Sequence, residues 1–568
     1  MKQTLLAAPR LGPGRPNLVV AGPSGSGKSS SGRSAAASLG MPFVDLDQLS
    51  EQRSGLAVAE LFARHGEGAF RQLEAELLAQ AARLSGTVVA VGGGAVLHPS
   101  SFASLAGGAM AAVLTAAPEE LGRRLRGDRL RPLLGPDPGS GLAVLLAARG
   151  PDYRAAGTQV DTSGRPPQEV AGMLVRLYRD RVRSQESLLE VGGADGGYPV
   201  IVGPQALDRL PGVIAARAPA RARVVVVSDA TVAAVAARRV AALLREQGQE
   251  VLEAVVAPGE AAKRLEVVSH LWSELLRMGV GRNDVVVAVG GGATLDAVGF
   301  CAATLGRGTA WVTVPTTLLA MVDAAIGGKT AINHGGLKNS VGAFHPPLAV
   351  VAELSWLASL PAASTREGMA EATKCAVLAS PIMVDLLGQA ELDGSALPIQ
   401  LQWVVEQAAR IKAAYVGADP REQGLRAALN LGHTFAHALE AASDYRIGHG
   451  RAVAIGLRAA ARLGASVGLT EPALVQRLDQ VLDHLRLTPE PGLHVERESV
   501  LRAARGDKKR VGTSIAFIVP AGRGAVRLED LDLDRALQPL WEVLAMSALP
   551  PGSHDRVKPL GPPTGVRA

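Results

Sequence analysis

The sequence predicts an α/β chain: one parallel-sheet unit, a second parallel-sheet unit, and a mainly helical region after them. Three observations predict this. Short apolar or β-branched runs alternate with segments of helical spacing from Asn17 onward. The octapeptide VVAVGGGA closes a strand-like run twice, at Val88–Ala95 and Val286–Ala293. After Pro361 the strand signal fades and long helical periodicity takes over.

Size and composition bound the reading. The 568 residues exceed what a single core holds, about 250–300 residues, so at least two domains are expected. Hydrophobic residues make up 47% and charged residues 20%, which is a globular composition. The net charge of +6 is spread along helices and forms no concentrated basic stripe. A nucleic-acid partner is therefore not expected, whereas small anionic substrates fit. The two cysteines, Cys301 and Cys375, cannot build a disulfide framework or a Cys-based zinc site. A cytoplasmic setting is expected. The most apolar window carries Asp296 and three glycines, so no membrane span is expected.

In chain order, residues 1–16 are expected as a flexible leader. Residues 17–178 form the first α/β domain, with strand candidates LVVAG, TVVAV and AAVLTA and helix candidates GKSSSGRSAAASL and GAFRQLEAELLAQAARL. A linker is expected over 179–197, ending in the glycine-rich VGGADGGYP. Residues 198–360 repeat the α/β alternation. Residues 361–545 are helical apart from the strand-like SIAFIVP, and 546–568 are a Pro/Gly-rich tail expected to be disordered. Outside the octapeptide the two α/β regions do not match at that offset, which argues against duplication.

The first domain opens on a phosphate cradle. Gly22-Pro-Ser-Gly-Ser-Gly-Lys-Ser29 fits GxxxxGK[ST] and lies between a strand and a helix. Its glycines let backbone N–H groups turn toward phosphates, Lys28 reaches the outer ones, and Ser29 can ligate Mg²⁺. Further along come Phe43-Val-Asp-Leu-Asp47, Phe70-Arg-Gln-Leu-Glu74, Gly92–Gly94, Leu130-Arg-Pro-Leu-Leu134 and Arg149 before Pro-Asp-Tyr153. With the cradle, these resemble shikimate kinase across residues 17–178, a P-loop kinase with a parallel sheet. The resemblance implies ATP, Mg²⁺ and shikimate as ligands. Gly25, Ser26, Gly27, Lys28, Ser29 and Ser30 would hold the nucleotide, with Arg124 on its adenine side and Arg131 as the lid arginine. Asp45 would hold Mg²⁺ through water. Arg71 and Arg149 would grip the carboxylate, Gly93 and Gly94 would lie against the ring, and Asp47 would take the proton of the attacking hydroxyl.

The second site is read from scattered residues. Gly290-Gly-Gly-Ala-Thr-Leu-Asp296 ends a strand and opens a helix, but it is not GxGxxG and alone says little about a dinucleotide. His433 and His437 stand four apart on one helical face, His449 follows, and Glu371 sits on an earlier helix. A lone HxxxH is more often structural than metal-binding. Glu/His/His from three segments is, however, a common catalytic zinc set. Lys329, Lys338, Lys374, Lys412, Arg426, Lys508 and Lys509 crowd the same elements, which suits a substrate with phosphate and carboxylate.

From about Tyr198 to Leu544 the chain resembles 3-dehydroquinate synthase. The motifs are PGEAAK, GGGATLDAVGF, PTTLLAMVD, GGKTAIN, LKN, AEATK, LRAALNLGHTFAH, the His449-Gly pair and DKK. The resemblance implies a Rossmann-like NAD-binding domain, a helical metal-binding domain and, for the family, a homodimer through this half. Glu371, His433 and His449 would be ligands of zinc or cobalt. Asp229, Glu260, Lys263, Gly291, Gly292, Asp296, Thr316 and Thr317 would contact NAD. Asp323, Lys329, Lys338, Asn339, Lys374, Lys412, Arg426, Asn430, His437 and Lys508 would surround the keto-acid phosphate DAHP. Four departures stand out: Arg451 replaces a usual glutamate, Ala324-Ala325 replaces two serines, Leu337 replaces a glycine, and Asp152 replaces an apolar residue.

The resemblances together imply a bifunctional enzyme of aromatic amino-acid biosynthesis, with two non-consecutive steps on one chain. Three alternatives stay open: one half silent and regulatory, a related sugar-phosphate cyclase, and a glycerol-dehydrogenase-like enzyme.

Overall fold

The computed structural model describes residues 1–125, 138–182, 187–192, 196–389, 399–489, 495–506, 510–511, 514–522 and 524–546. They form two compact units: Ala7–Leu429, and Met1–Leu6 together with Asn430–Ala568.

The larger unit holds two parallel sheets. In the first, the strand order is Phe43–Asp45, Val88–Ala90, Leu18–Ala21, Met110–Thr115, Thr158–Asp161, all parallel. Leu18–Ala21 is central and fully buried, as expected of a strand covered by helices on both faces. Leu18, Val20 and Leu114 pack with Ala35 of the helix Lys28–Leu39 and with Leu174 and Tyr178 of Pro167–Arg181. The phosphate-cradle, Asp45 and triple-glycine segments all leave the carboxyl ends of these strands, where open α/β sheets bind ligands.

The second sheet has the order Val251–Val256, Val224–Asp229, Val285–Gly290, Ala310–Pro315, Val350–Glu353, Tyr198–Gly203, Ser187–Val191. The first six strands run parallel and the last is antiparallel. Ser187–Val191 lies inside the expected linker. It is an edge strand whose Ser187, Leu189 and Val191 turn inward while Leu188 and Glu190 face solvent. That alternation is the period of a one-sided strand. The unit is completed by the hairpin Lys329–His334/Leu337–Phe344 and by the helices Ala362–Ala379, Pro381–Leu387 and Ile399–Ala418.

The smaller unit is mainly helical, with His433–Ala442, His449–Ser466, Pro472–His484, Arg497–Gly506 and Leu533–Met546. The expected leader is corrected here. Lys2–Ala7 is a strand beside Gly524–Glu529, which pairs antiparallel with Phe517–Pro520. The stretch SIAFIVP divides between Ser514–Ile515, paired with Arg510–Val511, and Phe517–Pro520. The first two helices press together at glycine. A β-carbon on Gly456 would stand 2.2 Å from the Gly432 carbonyl oxygen. Of the expected tail, residues 547–568 lie outside the described residues.

Candidate active sites

The phosphate cradle has the backbone its sequence demands. Gly22, Gly25 and Gly27 have φ of 135°, 79° and 90°, which side chains disfavour. Gly27 caps the helix that Lys28 begins, so Ser29 and Ser30 lie in its first turn. Lys28 is buried, and its ammonium donates to the Pro23 carbonyl at 3.1 Å, inside the loop. Ser26 Oγ donates to the same carbonyl at 2.8 Å. Arg124 ties the far side: it donates to Thr162 O at 2.7 Å, to Thr162 Oγ1 at 3.1 Å and to Gly25 O at 3.4 Å. Arg131 lies outside the described residues.

Asp45 caps the next helix, accepting from the Asp47 and Gln48 backbone N–H groups at 3.0 and 3.4 Å. Its carboxylate is thus fixed at the end of a strand beside the cradle strand's neighbour. Side chains gather around the triple glycine. A β-carbon on Gly92 would stand 2.6 Å from Asp47 Oδ1 and 2.7 Å from Glu74 Oε1. One on Gly94 would stand 1.9 Å from Arg71 Nη1. The Gly93 carbonyl accepts from Arg149 at 3.2 Å and from the Tyr153 hydroxyl at 2.5 Å. Asp47, Arg71, Gly93, Gly94 and Arg149 are therefore brought together. Glu74 is the residue whose role the sequence did not disclose. Nearly buried, it accepts from Arg71 at 2.7 Å and meets His98 Nε2 at 3.1 Å. Burial works against the Arg71 charge, but Glu74 and Glu67 outweigh it and raise its pKa. The Arg71–Glu74 spacing of three is the signal that could have found it.

The second triple glycine is a turn of a different kind. Gly290 still belongs to its strand, and Gly292 starts the helix Gly292–Thr304. Thr294, a residue without an assigned role, donates to Asp229 Oδ2 at 2.8 Å and holds that buried carboxylate at the end of the neighbouring strand. Lys263 pairs with Asp296 at 2.5 Å. Burial nevertheless raises the Asp296 pKa, the lysine only partly offsetting it. The Thr316 N–H donates to Gly290 O at 3.0 Å, and Thr317 Oγ1 accepts from Ala320 N–H at 3.2 Å. A β-carbon on Gly291 would touch Thr317, and one on Gly292 would stand 3.1 Å from the Ala324 β-carbon. So Ala324, one of the departures, lies directly against the glycine turn. Glu260 accepts from Asn333 at 2.7 Å.

Next to this turn lies a buried cluster of charge. Lys412 donates to Asp323 Oδ1 at 2.6 Å, and Lys374 stands 3.6 Å from the same atom. Lys374 also pairs with Glu371, one helical turn before it. Burial disfavours every charge here. Lys412 and Lys374 outweigh it for Asp323 and lower its pKa. Glu371 and Asp323 outweigh it for Lys374 and raise its pKa. For Lys412 burial wins and the pKa falls. Arg426, almost wholly buried, donates to Pro420 O at 2.6 Å and Gly327 O at 3.1 Å. Lys329 pairs with Glu422 instead. Lys338 and Asn339 lie on the hairpin, where Asn339 N–H donates to Asn333 Oδ1 at 2.9 Å. Lys508 lies outside the described residues.

In the smaller unit, which Asn430 opens, three imidazoles cluster. The His433 ring centroid is 5.6 Å from His437 and 5.7 Å from His449, both edge-on. His433 Nδ1 meets the Leu431 carbonyl at 3.2 Å, and His449 Nδ1 meets Glu440 Oε2 at 3.4 Å. The His433 and His449 rings are thus each held by a contact at Nδ1, as imidazoles that serve metals commonly are held through one nitrogen. Glu440, seven residues after His433, was not singled out from the sequence.

Comparison with known proteins matches three family models: shikimate kinase over residues 24–179, 3-dehydroquinate synthase N-terminal over 253–367, and 3-dehydroquinate synthase C-terminal over 368–510. The 3-dehydroquinate synthase of Thermobifida fusca (strain YX) is 42% identical over 336 residues, 58% of this chain and 88% of the relative. That of Streptomyces avermitilis is 40% identical over 338 residues, 59% and 92% of the two chains. Among solved structures, ValA, the 2-epi-5-epi-valiolone synthase from Streptomyces hygroscopicus subsp. jinggangensis 5008 with NAD+ and Zn2+ bound, is 29% identical with a TM-score of 0.56. It covers 61% of this chain and 97% of its own.

Proposed function

The chain belongs to the 3-dehydroquinate synthase family and carries a shikimate kinase domain ahead of it, and from that premise we propose one enzyme with two separate anion-gripping sites. One observation carries the reading: the matches run side by side without overlap, at 24–179 and 253–510, and each stretch keeps its own chemical set.

In the first site shikimate is phosphorylated by ATP. Gly25, Ser26, Gly27, Lys28, Ser29 and Ser30 hold the phosphates, with Lys28 leaving Pro23 for them. Ser29, and Asp45 through water, hold Mg²⁺. Arg124 flanks the adenine and Arg131 covers the phosphates. Arg71 and Arg149 fix the substrate carboxylate, which aims the attacking hydroxyl at Asp47.

In the second site DAHP becomes 3-dehydroquinate with loss of phosphate. Asp229, Glu260, Lys263, Gly291, Gly292, Asp296, Thr316 and Thr317 hold NAD, and Glu371, His433 and His449 hold zinc or cobalt. The Nδ1 contacts of His433 and His449 fit that role. When bound, NAD would take up and return a hydride, and the ion would polarise the hydroxyl oxygen on the carbon being oxidised. Lys374, Lys412, Arg426, Lys329, Lys338 and Lys508 offset the phosphate and carboxylate charge, Asn430, His437 and Asn339 hydrogen-bond to them, and Asp323 helps to keep Lys374 charged. A homodimer through this half and a cytoplasmic location complete the reading. No helix among the described residues is long and apolar enough to cross a membrane.

The test is an assay of the intact chain for both reactions, with DAHP beside other sugar phosphates, before and after chelation with Mg²⁺ restored. Kinase turnover should survive and phosphate release from DAHP should stop. Undiminished release in metal-free protein would overturn the metal assignment.

A further inference from the structure

The helix Ile399–Ala418 carries two sets of residues on two faces. Trp403, Glu406, Gln407 and Arg410 recur at the three- and four-residue spacing of a single helical stripe. Lys412 stands about 200° round from Arg410. Both faces are buried, the four stripe residues and the lysine each being less than one-tenth exposed.

The stripe faces the kinase domain and the segment that leads into it, and each of its four residues hydrogen-bonds there. Trp403 Nε1 donates to Ser85 O at 2.9 Å and stands 3.1 Å from Thr87 Oγ1. Gln407 Nε2 donates to Ser85 O at 3.0 Å and Ser85 Oγ at 2.8 Å. Arg410 donates to Gly12 O at 2.5 Å and Arg83 O at 2.8 Å. Glu406 accepts from Arg15 Nε at 2.8 Å, with both side chains nearly buried. The approach is close enough that a β-carbon on Gly14 would stand 2.4 Å from Ser85 Oγ and 3.3 Å from Arg410 Cδ. A second tie joins Arg53 to Asp385, on the preceding synthase helix, at 3.6 Å.

The place of contact is also telling. Ser85 and Thr87 lead into the strand Val88–Ala90, and Asn17, which grips Thr87 N–H and Leu84 O, leads into the cradle strand. Docking therefore uses the amino ends of the kinase strands and leaves the carboxyl ends, where ATP and shikimate bind, open. The segment expected to be a tether does not separate the parts either. Its strand Ser187–Val191 packs along the same helix, and Gly417 abuts Gly192 so closely that a β-carbon would stand 3.1 Å from the Gly192 nitrogen.

We propose that the stripe Trp403–Arg410 is a permanent docking surface for the kinase domain, and that this docking anchors the helix that delivers Lys412 to the synthase site. The kinase is then a built-in support of the synthase, not a separate bead on a string. The naming of the two parts rests on the reading above, but the docking does not, and its test needs neither activity.

The test is peptide-resolved amide hydrogen exchange on the full chain, comparing Arg15→Glu, Glu406→Arg and the two combined. Arg15 is 391 residues from Glu406 in sequence, so only docking lets its substitution reach the helix. Breaking a buried pair is expected to speed exchange across residues 401–418 on the order of tenfold or more in either single variant, with recovery in the charge-swapped double. Unchanged exchange over 401–418 in Arg15→Glu overturns the proposal. So does a double variant no better than the singles. Should Glu406→Arg fail to accumulate, Gln407→Ala removes only the donor to Ser85. It must then loosen residues 83–91 on the kinase side, and their indifference would equally overturn docking.

Discussion

Replacing Gly94 by alanine isolates one arginine of the kinase site. The Gly94 backbone, at φ −98° and ψ −7°, suits any residue, so no dihedral strain enters. The obstacle is space alone, since the new β-carbon would stand 1.9 Å from Arg71 Nη1. That atom is the far end of a long side chain and can move. What is lost is therefore the position of Arg71, including its 2.7 Å bond to Glu74, and not the fold. A hydrogen bond to a charged group contributes about 1.5–3 kcal/mol. Losing one from Arg71 to the shikimate carboxylate should lower kcat/KM for shikimate roughly 10- to 150-fold. The assay is ADP release at varied shikimate, with the KM for ATP and phosphate release from DAHP as controls, both expected to hold. A shikimate kcat/KM within twofold of the parent would refute the idea that Gly94 exists to seat Arg71.

Three further outcomes are expected of the synthase. His449→Ala should strip most of the bound zinc or cobalt while kinase turnover holds, as read by elemental analysis beside both assays; full metal content would exclude His449 as a ligand. Thr294→Val removes the donor to Asp229 Oδ2 and should weaken NAD binding about tenfold by titration; an unchanged dissociation constant would show that Asp229 needs no such support. Burial lowers the Lys412 pKa, so its charge is lost at lower pH than the ordinary lysine value of about 10.4. The KM for DAHP should then climb on the alkaline side before that value, and Lys412→Arg, which stays charged, should delay the climb. Superimposable profiles would remove Lys412 from the substrate shell.

The elements that carry the candidate residues were legible in the sequence wherever one short stretch determines them. The cradle Gly22–Ser29, the strand-ending Asp45 and the imidazoles of His433 and His437 depend on neighbours a few residues away, and the structure has them in the expected elements. What the sequence hid depends on distant partners. Lys2–Ala7 is short and half polar, and nothing near it announces a strand; its partner Gly524–Glu529 lies far along the chain. Ser187–Val191 becomes a strand by pairing with Tyr198–Gly203 across glycines that resemble a tether. The helix Ile399–Ala418 has polar groups on its buried face, so it reads as half-exposed until Ser85, Gly12 and Arg15 arrive to satisfy them.

The twin octapeptides show how identical letters answer different needs. None of their six glycines has the left-handed backbone that usually explains glycine. At Gly92, Gly94 and Gly290 a β-carbon would collide with a neighbour, and at Gly292 it would be tight. In the first copy the strand stops at Ala90 and the glycines border polar side chains: Asp47 and Glu74 at Gly92, Arg149 and Tyr153 on the Gly93 carbonyl, Arg71 at Gly94. In the second the strand runs on through Gly290, where a β-carbon would stand 2.8 Å from the Thr294 β-carbon, and the helix begins at Gly292 against Ala324. One set lets charged side chains approach the loop backbone; the other lets a strand turn directly into a helix. Convergence is the economical account, because a buried valine-rich strand and a need for backbone access suffice to produce the same eight residues twice.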